Sequence, residues 1–192
     1  MISLLSSCAN WQKVLKKSAV KLTYLIADLL NTTKIEQGQL SLNRTTFPVS
    51  ELLNSCCSHI EAEGTYRLKL EGDLSAFLYA DQQKIEQVLV NLVNNAVKYA
   101  PKSLFITFRV EQLPSAVKIT VSDEGPGIAL EHLSHLFDRY FRADQQKSQT
   151  SGLGLGLYIS SEIIRRHGGR MGVDTSPGEG ASFWFTLPNP DR

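Results

Sequence analysis

No stretch of this sequence approaches the run of about 20 apolar residues that a bilayer-spanning helix needs, so no membrane segment is expected within it. Cysteine is scarce. Cys8, Cys56 and Cys57 make neither a metal-ligand spacing nor an even disulfide set, and adjacent cysteines rarely bridge each other. That usage fits a reducing cytosol, and a cytoplasmic location is expected. Excess charge is also missing: 20 Lys and Arg against 19 Asp and Glu leave a formal charge of +1. No strong field for nucleic acid or anionic lipid follows from that balance, so neither is an expected partner. Leu5-Ser6-Ser7-Cys8 faintly resembles a lipoprotein cleavage site, but the segment before it has no basic residue and is too short for a signal core. There is no internal repeat and no low-complexity tract.

What remains is a chain of 192 residues, 42% hydrophobic and 20% charged, ordinary for one globular domain with an appendage. Its organising stretch is Asp81 to Tyr99. Ile85, Val88, Leu89, Leu92, Val93, Ala96 and Val97 follow the period of a helix with one buried stripe. Asp81 stands at the N-cap position and Pro101 lies just past the end. The opposite face carries Gln87, Asn91, Asn95 and Lys98, and amides are mediocre helix formers. Two stacked Asn carbonyls beside a Lys can hold a hard cation and the phosphates it bridges. Taken alone, the ladder fits equally well a plain amphipathic helix with a polar back.

Trp11 to Gln37 reads as one long helix, with Leu15, Leu22 and Leu29 forming a heptad-like stripe suited to a coiled coil or helix bundle. Gly38 is its expected stop. A short strand over Asn43 to Val49, a helix over Ser50 to Glu61 and two strands near Tyr66 to Leu70 and Ala76 to Ala80 come next. Beyond the organising helix, Leu104 to Val110 and Val117 to Val121 alternate apolar and polar residues around a Leu113-Pro114-Ser115 turn, an antiparallel hairpin. Leu130 to Phe137 reads as a short helix, Arg142 to Ser151 as a polar loop, and Leu153 to His167 as a helix stopped by Gly168-Gly169. Arg170 to Thr175 and Ala181 to Leu187 close the pattern as strands. The expected class is α+β, a mixed sheet with helices on one face.

Several segments carry chemistry. The strand ending at Asp123-Glu124-Gly125-Pro126-Gly127 can present a carboxylate where the backbone approaches closely, although an incidental turn explains it too. Gly152-Leu153-Gly154-Leu155-Gly156-Leu157 is neither a dinucleotide fingerprint nor a Walker loop, yet glycines at a helix start expose N–H groups that favour phosphate. Phe137 to Arg142 is aromatic and basic; Arg142 could reach a phosphate, or the aromatics could simply anchor the loop. Pro177 to Phe183 is a turn followed by a strand.

In order, these pieces are Asn91-x-x-x-Asn95-x-x-Lys98-Tyr99, Asp123-x-Gly125-x-Gly127, Phe137 to Arg142, Gly152-x-Gly154-x-Gly156 and Gly178-x-Gly180-x-Ser182-x-Phe183. The series resembles the N, G1, F, G2 and G3 boxes of the ATP-binding catalytic domain of two-component sensor histidine kinases. The likeness covers residues from about 43 to 187. Upstream, Tyr24 to Leu30 and Ile35-Glu36-Gln37-Gly38 resemble the second helix of that family's dimerisation and phosphoacceptor domain.

The resemblance implies a Bergerat-type α/β sandwich over residues 43–192, preceded by a partial dimerisation domain over residues 1–42. It implies ATP and Mg²⁺ as ligands, with Asn91 and Asn95 on the metal and phosphate, and Lys98 and Tyr99 on phosphate and nucleotide. Asp123 would read the adenine amine and Gly127 would lie beside the base. Gly125, Ile128, Phe137, Leu153, Leu157 and Ser182 would complete the nucleotide contacts. Residues 143–151 would be a lid hinged at Gly152, Gly154 and Gly156. Asn91, Lys98 and Arg142 would carry the transfer step. Partners would be a phosphoacceptor histidine helix, a second copy in the intact kinase, and a response regulator; the parent kinase could be membrane-anchored. Hydrolysing relatives place a general-base Glu where this chain has Asn91, which suits transfer to histidine over water attack. Two departures stand out. Ser182 occupies a position more often Thr, and the acceptor motif His-Glu-x-Arg-Thr-Pro is absent, since His59, His132, His135 and His167 lack its context. Self-phosphorylation of residues 1–192 is therefore not expected. A non-kinase ATPase, a nucleotide sensor without turnover and a serine-directed anti-sigma kinase are the alternatives.

Overall fold

A computed structural model describes residues 23, 26, 29–30, 32–61 (57–61 by backbone alone), 66–101, 103–143 and 153–189. Most of the long helix expected over residues 11–37, and Gly152 with residues 144–151 of the expected lid, lie outside the described residues. The chain divides into two compact units, Met1–Leu40 and Ser41–Arg192.

In the first unit the described residues up to 36 are helical. Gly38, at φ 71°, ends the helix, its N–H donating to Ile35 O (3.1 Å) while Gln39 N–H donates to Lys34 O (2.8 Å). That pair of bonds is the Schellman stop a glycine permits, as the sequence led us to expect.

The second unit runs β1 (Thr45–Pro48), α1 (Val49–Glu61), β2 (Arg67–Gly72), β3 (Phe77–Ala80), α2 (Gln82–Tyr99), β4 (Phe105–Gln112), β5 (Ala116–Asp123), α3 (Leu130–Leu133), α4 (Gly156–Arg166), β6 (Arg170–Thr175) and β7 (Ala181–Pro188). β1 and β3 form a two-stranded antiparallel ribbon. The main sheet has the order β2-β4-β5-β7-β6 and is mixed, because β2 and β4 run parallel and every other neighbour is antiparallel. A parallel pair needs a long crossover. Here that crossover contains β3 and α2.

Strand alternation decides which face the helices cover. Ile106, Phe108 and Val110 of β4, Val117, Ile119 and Val121 of β5, and Phe183, Phe185 and Leu187 of β7 are buried. Their neighbours Arg109, Lys118 and Trp184 belong to the other face. Against the apolar face α2 sets Ile85, Val88, Leu89, Leu92, Val93 and Ala96, and α4 sets Ile159, Ile163 and Ile164. Each of the Ile, Val and Leu side chains, fully buried, contributes about 1.5–3 kcal/mol relative to exposure.

Asp81 caps α2 as its position predicts: Oδ1 accepts from Lys84 N (3.1 Å), and Oδ2 accepts from Asn43 N (2.9 Å). Several boundaries differ from expectation by a residue or two, and three differences have a visible cause. α4 begins at Gly156, not Leu153, because Gly154 sits at φ 70°, outside helical space. α3 is one turn, and His135 and Asp138 continue it only through turns closed by 3.1 and 2.9 Å bonds to residues three before them. β2 runs through Gly72, whose φ of 86° and close approach to Val110 O require glycine. No helix among the described residues is long and apolar enough to cross a membrane.

Candidate functional site

The polar ladder of α2 meets α4 at Asn91, and the helix ends beside the loop that follows β5. Asn91 and Asn95 are half-buried one turn apart, and Lys98 and Tyr99 follow at the helix end. Asn91 meets the start of α4: its Nδ2 donates to Ser160 Oγ (3.0 Å), and its amide occupies the volume a Cβ on Gly156 would fill. Lys98 Nζ donates to Tyr99 Oη (2.8 Å) and lies 4.5 Å from the centre of that ring, so cation and phenol form one unit. Tyr99 itself is 46% exposed.

At the far end of α2, Ala100 packs against Gly125; a Cβ there would come within 2.8 Å of the Ala100 Cβ and 2.7 Å of Asp123 Oδ1. Asp123 closes β5, opposite Ala181 of β7. Its Oδ1 accepts from Gly125 N (2.9 Å). Burial pushes the Asp123 carboxyl above its ordinary value, opposed by the N–H groups of Gly125 and Ala181 that favour the anion. Beside it, the Ser122 and Ser182 hydroxyls are 2.8 Å apart.

The loop after Asp123 is clamped to the 176–180 turn. Gly127, at φ 70°, rests on Ser176 O, and Gly178 N donates to Pro126 O (2.7 Å). Ile128 N donates to Thr175 Oγ1 (3.1 Å), which in turn donates to Gly180 O (2.6 Å). Thus Asp123, Gly125, Gly127, Ile128 and Ser182 form one body of structure at the end of β5 and the start of β7.

The aromatic segment joins the glycine segment before α4. Tyr140, at φ 64°, donates its N–H to Gly154 O (3.1 Å), and a Cβ on Gly154 would crowd Phe141 O. The Phe141 ring lies 5.8 Å from the His132 ring and 5.7 Å from the His135 ring. Phe137, Arg142 and Leu157 are half-buried, and Leu153 is 39% exposed. Gly152 lies outside the described residues.

Sequence reasoning missed Ser160 and Thr175. Ser160 had one usable signal, since it falls one helical turn after Gly156 and shares its face. Thr175 had none, because its partners sit in separate loops. Among the described residues no three His, Cys, Asp or Glu side chains cluster as metal ligands.

The family described as histidine kinase-, DNA gyrase B- and HSP90-like ATPase matches residues 80–191, and the chain belongs to it. The sensor protein GacS of Pseudomonas syringae pv. syringae is 33% identical over 187 residues, 92% of this chain and 20% of that protein. The adaptive-response sensory kinase SasA of Microcystis aeruginosa (strain NIES-843 / IAM M-2473) is 35% identical over 173 residues, 85% of this chain and 44% of that protein. This chain therefore spans less than half the length of these curated relatives. Full-length ShkA in complex with AMPPNP superposes with a TM-score of 0.78 at 25% identity, covering 92% of this chain and 37% of that one. The fold is that of histidine kinase catalytic domains.

Proposed function

We propose that residues 43–192 form the ATP-binding catalytic domain of a sensor histidine kinase, and that residues 1–42 belong to its dimerisation and phosphoacceptor domain. The nucleotide would lie along α2, with its base at Asp123 and its phosphates between Asn91, Asn95, Lys98 and the start of α4. The observation that carries this reading is the placement of the Asn91 amide against Gly156, at the first turn of α4. The Asn91 amide oxygen there lies beside a helix N-terminus, and helix N-termini attract phosphate.

The donor set fits Mg²⁺, a hard cation that binds through few protein oxygens and relies on substrate phosphates for the rest. Asn91 and Asn95 would hold it. The chemistry supplied there would be neutralisation of phosphate charge during transfer. Lys98, braced by Tyr99, and Arg142 would supply further positive charge. Asp123, half-buried, would accept from the adenine amine. Gly125, Gly127 and Ile128 would let the backbone approach the base, while Phe137, Leu153, Leu157 and Ser182 line the remainder. Gly152 and Gly154 would hinge a lid formed by residues 143–151; Gly156, expected to share that role, lies inside α4 and instead leaves room for the Asn91 amide.

Asn91 is not a carboxylate and cannot take a proton from water, which favours transfer of the γ-phosphoryl group to an imidazole that brings its own lone pair. That histidine would lie on the dimerisation domain of the intact, homodimeric kinase in the cytoplasm. From there a response regulator would receive the group. Lacking the acceptor motif, residues 1–192 would bind ATP without phosphorylating themselves.

Calorimetric titration with Mg-ATP tests the reading. The unaltered chain should bind, and Asp123→Asn and Asn95→Ala should each weaken binding sharply. Undiminished binding by both variants would overturn it. Steady release of phosphate would instead mark an ATPase that is not a kinase.

A further inference from the structure

Ser160 is 2% exposed and lies on the face of α4 that meets α2. Its Oγ accepts from Asn91 Nδ2 at 3.0 Å. One turn earlier on the same helix face, Gly156 leaves room for the other end of that amide: the atom of Asn91 nearest the position of a Gly156 Cβ is Oδ1, followed by Cγ and then Nδ2. The Asn91 amide therefore spans one turn of α4, with oxygen towards the helix start and nitrogen towards Ser160.

An asparagine amide can flip, exchanging an acceptor for a donor at the same position. A cation at the start of α4 needs the oxygen there, and that orientation turns Nδ2 inward, away from solvent. A buried N–H pair without an acceptor is costly. A serine hydroxyl can accept it; alanine cannot. We infer that Ser160 is a positioning residue for the Mg²⁺–nucleotide complex, holding the Asn91 amide with Oδ1 towards the ligand. The inference rests on the reading of Asn91 as a metal ligand, and it adds a buried hydroxyl on α4 to the determinants of metal affinity.

The test separates metal-dependent from metal-independent binding. AMPPNP affinity is measured by calorimetry on the full chain in MgCl₂ and in EDTA, for the unaltered protein, Ser160→Ala, Asn91→Ala and the double variant. Ser160→Ala should keep its EDTA affinity and lose about tenfold of the Mg²⁺ enhancement, as expected when a partner supporting a metal ligand is removed. In the Asn91→Ala background the same substitution should change nothing further, since the two residues act as a unit.

Three results would overturn the inference: an unchanged Mg²⁺ enhancement in Ser160→Ala, an equal loss with and without metal, or a further loss in the double variant. Failure of the unaltered protein to bind AMPPNP under either condition is a different outcome. It would remove the nucleotide-site reading itself.

Discussion

Gly156 lies so close to Asn91 that a methyl group on its Cα would overlap Oδ1 and Cγ of the Asn91 amide and crowd Nδ2. The backbone of Gly156 is helical, so conformational freedom is not why glycine stands there. The amide of another helix occupies the space of its side chain. α2 and α4 thus approach with an asparagine between them, and the first turn of α4 is bound to the orientation of that one side chain.

Gly156→Ala should separate folding from ligand binding. Alanine suits a helix better than glycine by about 1 kcal/mol, so secondary structure should survive. Displacing the Asn91 amide is an overpacking change of about 1–3 kcal/mol. Carried into the liganded state, it should weaken Mg-ATP binding by at least about fivefold. Circular dichroism should report unchanged helix content while calorimetry reports the loss; equal affinity would show that Asn91 is free to move aside.

Asp123 should make nucleotide affinity sensitive to acid at a higher pH than an ordinary carboxylate would. Burial raises its pKa, against the opposing N–H groups of Gly125 and Ala181. Only the anion accepts fully from an adenine amine. Affinity should hold above the raised pKa and fall as pH drops through it. The same shift has a stability consequence of opposite sense. A group whose folded pKa is raised contributes stability below its unfolded pKa, and that contribution is lost as pH rises through the folded pKa. Asp123→Asn should therefore bind poorly at every pH yet unfold at a slightly higher temperature than the unaltered chain at pH 7. Calorimetry from pH 8 down to about 4, the ordinary carboxylate value, with thermal melts checks both, and a pH-independent affinity in the unaltered chain would count against the role of Asp123.

Much of this architecture was legible because it is local. The stripe from Ile85 to Ala96 and the Asp81 cap fix α2 within its own sequence, and alternation fixes the β4–β5 hairpin. The ordered motifs pointed to the family that the comparisons then showed. Long-range choices were not legible. Nothing in Arg67 to Gly72 says that it pairs parallel to β4, since that depends on how the crossover folds back. Asn91 and Ser160 are 69 residues apart, and Ile128 and Thr175 are 47 apart. The start of α4 was misjudged because Leu153, Leu155 and Leu157 continue an apolar pattern through Gly154, whose left-handed backbone is set by Tyr140 and Phe141. In each case a partner distant in sequence decides, and hydrophobic period carries no trace of it.

His167 ties the end of α4 to the start of α2, and that link should make the fold sensitive to mild acid. The imidazole is 4% exposed. Its Nε2 accepts from Asp81 N (3.0 Å), so Nδ1 carries the proton and donates to Ile163 O (2.8 Å). Only the neutral ring can make both bonds. Burial lowers its pKa first and nearby Arg44 lowers it further, with Ile163 O and Asp81 opposing. As pH falls below about 6.5 the unfolded chain takes up a proton that the folded chain refuses, so stability drops until the lowered folded pKa is reached. Urea midpoints should fall between pH 7.5 and 5.5, a window above most carboxylate titration. His167→Leu leaves the Asp81 N–H and the Ile163 C=O without this partner and should cost about 1–3 kcal/mol at pH 7.5. The variant should also lose most of the pH dependence across that window. A variant that keeps the full acid sensitivity would assign it to other groups and leave His167 with a packing role alone.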